Sequence, residues 1–140
     1  MWWIILIVIV VLFVLIRLVI GFAGNWRMTL NRVITQYVAW KQTEPKFSDK
    51  EIFMAVLDNR YQKPASNSGL MAKMYDRKNS FKEKIESGEF SDKEKYNLPT
   101  LIFTCLLIEE NSYVNQDKSN EELIEPIKAE VKRQGFEKYI

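Results

Sequence analysis

Apolar positions along this chain follow two different patterns. From Trp2 to Ile16 every side chain is apolar (WWIILIVIVVLFVLI); Arg17 interrupts, and Leu18 to Ala23 continues the run. Past Asn25 the apolar residues are spaced. Trp26, Leu30, Val33, Ile34, Tyr37 and Val38 recur at helical intervals, with Arg27, Asn31, Arg32, Thr35 and Gln36 between them. That spacing predicts an amphipathic helix ending at Glu44-Pro45, where proline bars its predecessor from the helical region. Only Gly24 stands between the two patterns, so the first helix is expected to run on into the second.

Helix starts are marked clearly further along. Phe47-Ser48-Asp49-Lys50-Glu51-Ile52 offers a serine N-cap, a glutamate three residues on to close a capping box, and a Phe47–Ile52 staple. The helix it opens turns Ile52, Phe53, Val56, Leu57 and Tyr61 inward and stops before Pro64. A loop at ASNSG leads to a third helix on Leu70, Met74, Arg77, Phe81 and Ile85, with a second start signal at Ser80/Glu83 and a C′ glycine at Gly88. Phe90-Ser91-Asp92-Lys93-Glu94 repeats the earlier pentad letter for letter. The sequences after the two copies differ, so recurrent cap chemistry explains them better than a duplicated hairpin. Pro99 suits a first helical turn. Leu101 to Ile108 is apolar nearly all round, the pattern of a central buried helix too short to cross a membrane. Ser119 with Glu122 caps a last helix striped by Leu123, Ile124, Ile127 and Val131, with Pro126 inside it and Gly135 after it. No stretch alternates long enough for a strand. The fold expected is all-α: an N-terminal transmembrane helix (1–24) and a helical domain of four to five helices (25–140).

The membrane expectation rests on length and edges. At about 1.5 Å per residue, Trp2 to Ala23 rises roughly 33 Å, against a hydrocarbon core of about 30 Å. Trp2 and Trp3 mark one edge and Trp26 the other, while Arg17 is placed to snorkel toward Arg27 and water. A cleaved signal peptide competes, since Gly21-Phe22-Ala23 has small residues where signal peptidase needs them; the missing basic n-region and the length of the run favour an uncleaved anchor. Arg27, Arg32 and Lys41 follow the run before any acid, so the positive-inside rule places the C-terminal domain in the cytoplasm of a single-pass cell-membrane protein. Trp2, Trp3, Arg17, Trp26, Arg27 and Arg32 are the expected membrane-interface residues.

Composition then narrows the chemistry. There is no histidine, which removes Ser–His and Cys–His catalysis, His-ligated zinc and a histidine switch. The single cysteine, Cys105, sits in the apolar LIFTCLLI and reads as a core residue. A net charge of only +2 speaks against nucleic acid as a partner. No calcium-loop spacing or glycine-rich phosphate loop appears, and no cofactor or metal is expected. A carboxylate enzyme would need a pair that sequence alone does not show.

Charge is nevertheless segregated. Residues 60–84 carry seven bases against two acids, and residues 109–130 carry seven acids against two bases. One reading makes these a docking surface, with Lys73, Arg77, Lys78, Lys82 and Lys84 as candidate partner-binding residues. The other has the two segments answer each other across a solvated seam. The function expected is non-enzymatic binding by a membrane-tethered adaptor or inhibitor, its partners the lipid bilayer and a protein. Alternatives are a lipid-interface protein acting through helix 26–41, and an immunity-type protein that neutralises a toxin.

Overall fold

The computed structural model describes residues 1–18, 25–87 and 96–140 in full. Among the described residues six α-helices follow in order: α1 (Trp2–Ala23), α2 (Trp26–Thr43), α3 (Asp49–Arg60), α4 (Leu70–Glu86), α5 (Leu98–Ile108) and α6 (Asn120–Arg133). Short 3₁₀ turns lie at Ser112–Asn115 and Glu137–Tyr139. No strand occurs among the described residues.

Local chemistry explains the helix boundaries. α1 and α2 are separate helices, because the Asn25 side chain accepts from the Arg27 N–H and caps α2. At α3 and α6 both capping boxes close as the sequence implies: Ser48 with Glu51, Ser119 with Glu122. Phe47 is stacked on Trp40, 6.0 Å between ring centroids. α4 passes Ser80 unbroken, since Phe81 and Ile85 continue the inward stripe that Met74 begins. α6 likewise runs through Pro126, which is exposed. Its end is a Schellman motif on Gly135 (φ 87°): the Phe136 N–H bonds the Val131 carbonyl and the Gly135 N–H that of Lys132. α5 ends in the same motif with Glu110 at φ 50°, a left-handed position taken here by a side chain that prefers to avoid it. The repeated pentad at Phe90 and the stop at Gly88 lie outside the described residues.

One core is built around α5. Leu98, Leu101, Ile102, Cys105, Leu106 and Ile108 have no exposed surface. α2 packs on one side with Leu30, Val33, Ile34 and Tyr37, α3 adds Ile52, Phe53, Val56 and Leu57, and α6 closes with Leu123, Ile127 and Val131. No described residue of α1 belongs to this core.

α1 also corrects the sequence reading. Among the described residues, no helix is long and apolar enough to cross a membrane. Residues 2–18 rise roughly 26 Å at about 1.5 Å per residue, short of a core of about 30 Å. The expected span drew its remaining length from 19–24, which lie outside the fully described residues. The transmembrane anchor at 1–24, the single-pass topology, the signal-anchor assignment and the cell-membrane localisation are therefore not supported. With them goes the placement of the C-terminal domain on one side of a membrane.

Candidate functional site

Two features of the described surface could engage another molecule: the apolar helix α1 and the basic face of α4.

Along α1 the large apolar side chains from Trp2 to Leu18 are between 45% and 86% exposed. No stripe is covered; the exposure runs round the whole helix. Exposed apolar surface on this scale marks an interaction site in most proteins. Trp2 and Trp3 lie free at the start, and Arg17 stands over the Phe13 ring, 5.5 Å from its centroid. Trp26 and Arg27 belong instead to the domain. Trp26 stacks on Tyr113 at 4.7 Å, and Arg27 lies over Trp26 at 5.2 Å. Arg32 is exposed on α2. The expected interface residues are thus divided between two bodies, with Trp26 half-buried by its partner. The apolar stripe of α2 that a lipid-interface reading needs is buried in the core.

The basic face of α4 is largely engaged from within. Arg77 donates to the Ile108 carbonyl at 2.6 Å and pairs with Glu110 at 2.9 Å, holding α4 to the end of α5. Lys78 is buried, 3.3 Å from an oxygen of Asp58 and 4.4 Å from the centre of the Tyr75 ring. Lys82 reaches both oxygens of the same carboxylate at 2.9 Å. Lys84 is exposed and leans over Phe81. Lys73 is exposed as well, with no ion pair among the described residues. Burial of Lys78 was readable in the sequence: it lies four residues after Met74 and seven before Ile85, on the inward line of the helix.

A polar network that the sequence pattern did not reveal joins α2, α3 and α5. Arg60 donates to Tyr61, to Gln36 and, at 3.0 Å, to Glu109, and Tyr61 donates to the Cys105 carbonyl. Glu109 Oε2 is buried with no hydrogen-bond partner. Burial pushes Tyr61 far above the usual phenol range and Cys105 up to about 12, so Cys105 stays a thiol at neutral pH. Glu130 moves the opposite way. Hydrogen bonds from Arg133 and Gln134 bring it down to about 2. Gln134 also donates to Asn31 at 2.8 Å and so ties the end of α6 to α2.

Between α4 and α6, over the outer face of α5, lies a cavity of about 650 Å³ whose lining includes Phe53, Phe103, Thr104, Leu107 and Ile124, with Glu121 and Lys128 among its polar residues. Among the described residues no group of three or more carboxylates or thiols could hold a metal ion. Comparison with known proteins gives no match, whether to a family model, a curated protein or a solved structure.

Proposed function

We propose that the protein acts by binding a protein partner and not by catalysis, with α1 as an apolar arm and the helical domain presenting charge. The observation that carries this reading is the contrast in cover. The described residues from Trp26 to Tyr139 close a core of their own, and the described residues of α1 contribute nothing to it while exposing their side chains on all sides. Leaving apolar surface in water costs about 25 cal/mol per Å², so an arm of this kind is favourable only where a second molecule covers it. The charged residues of α4 and α6 supply selectivity for that molecule more than affinity.

The test compares the full chain with its I7E/V11E/V14E variant as bait in a lysate of the source organism. A specific protein retained by the wild type and lost from the variant supports the reading. If no protein depends on the arm, or the arm-dependent material is lipid alone, the reading fails.

A further inference from the structure

Resting on that binding reading, we propose that the corner between α3 and α4 is the docking point for an acidic segment of the partner that carries a large apolar side chain. Internal pairing occupies most of the basic segment. Arg60, Arg77, Lys78 and Lys82 are held by Glu109, Glu110 and Asp58. Lys63, Lys73 and Lys84 are left, all exposed and none in an ion pair among the described residues; Lys84 leans over Phe81 at the far end of α4, and Lys63 and Lys73 lie at the corner. Lys63 and Lys73 flank Leu70 and Met71, which at 62% and 66% exposure are the most exposed large apolar residues past α1 among those described. Beside them lies a cavity of about 230 Å³ lined by Lys63, Pro64, Asn67, Ala72, Tyr75 and Asp76.

These parts complement one another. Leu70 and Met71 form an apolar knuckle at the first turn of α4, where rigid helix backbone presents them. The cavity, walled by Pro64, Ala72 and the Tyr75 ring, offers a slot for one apolar side chain from the other molecule. Two free cations then select for negative charge around it. Asp76 also lines the cavity, and Lys63 and Lys73 outnumber it. The corner therefore keeps a positive sign. An acidic, apolar-centred segment matches both properties, whereas a basic one would meet uncompensated lysines.

The experiment measures binding of a fluorescein-labelled peptide of glutamates interspersed with leucines to the full chain, by anisotropy. Three variants accompany the wild type: K63E/K73E, L70S/M71S and the control K46E/K118E, all at exposed positions. The proposal expects K63E/K73E and L70S/M71S each to weaken binding by about tenfold or more, the scale of one well-made interaction, with the control unchanged. A peptide of lysines and leucines should bind far more weakly. Equal binding by wild type and K63E/K73E overturns the proposal, because the peptide is then held elsewhere, on α1 for instance. Equal binding of the acidic and basic peptides overturns it too. Failure of the capture experiment to find any arm-dependent protein, with corner-dependent peptide binding intact, defeats the broader reading alone.

Discussion

α1 and α5 are the two most apolar helices of the chain, and they meet opposite fates. α5 has six residues with no exposed surface at all, while the large apolar residues described in α1 are at least 45% exposed. Hydrophobicity does not separate them; their neighbours do. α5 is preceded and followed by helices that carry apolar stripes at i, i+3 and i+4, and those stripes close over it. α1 has no such companions, because the stripe of α2 is already occupied by α5. What a chain can cover by itself is thus decided by the supply of amphipathic faces, and one helix here exceeds that supply.

Core truncation should separate the two helices most strongly. Leu106→Ala in α5 should cost about 2–5 kcal/mol through lost transfer energy and a residual cavity, whereas Leu12→Ala in α1 should stay within about 0.5 kcal/mol. Urea denaturation of the two variants measures both, and a similar loss from each would erase the contrast between the helices. A smaller difference is expected for charge. Arg60→Ala strands the Glu109 carboxylate in a partly buried site and should cost roughly 2–3 kcal/mol, somewhat below the figure for a fully buried pair. Arg17→Ala in α1 should cost nearly nothing in the same assay.

Acid probes the domain where α1 has nothing to titrate. Glu130 lies lower in the folded than in the unfolded chain, so its ionised form stabilises the fold above the ordinary carboxylate range. That contribution falls away as pH drops toward about 2. Glu130→Gln should lower stability at pH 7 and reduce its loss between about pH 5 and pH 2, which thermal melts across that window would show. A wild-type-like pH profile in the variant would mean that Glu130 has no part in the acid sensitivity. The end of α5 offers the finest distinction. Glu110→Gly relieves a left-handed side chain and gives up an exposed ion pair with Arg77, for a net gain of under about 1 kcal/mol. A clear loss of stability in the same urea assay would mean that the ion pair outweighs the backbone.

Much of the domain was legible because its signals are local. The capping boxes at Ser48 and Ser119, the inward stripes of α2 and α3, and the buried α5 all follow from spacing that needs no distant partner. Asn25 is as plain a cap signal as Ser48, and a reading that weighs only Gly24 there joins two helices into one. Other features depend on what lies across the fold. Phe47 meets the ring of Trp40, which α2 turns toward it. The basic residues of α4 split into engaged and free according to where Asp58 and Glu110 fall, which no charge count shows. A membrane span needs the length that 19–24 would add, and the described part of α1 is shorter than a bilayer core.

If the contrast between the helices is real, the domain is complete without α1. Urea unfolding of residues 25–140 beside the full chain tests this directly. Midpoint and m-value should both be unchanged, with the stabilities derived from them agreeing to within about 0.5 kcal/mol, since the described part of α1 buries no surface in the cooperative unit. A truncated domain that unfolds several kcal/mol earlier, or with a smaller m-value, would show that α1 belongs to the fold and needs no second molecule to cover it.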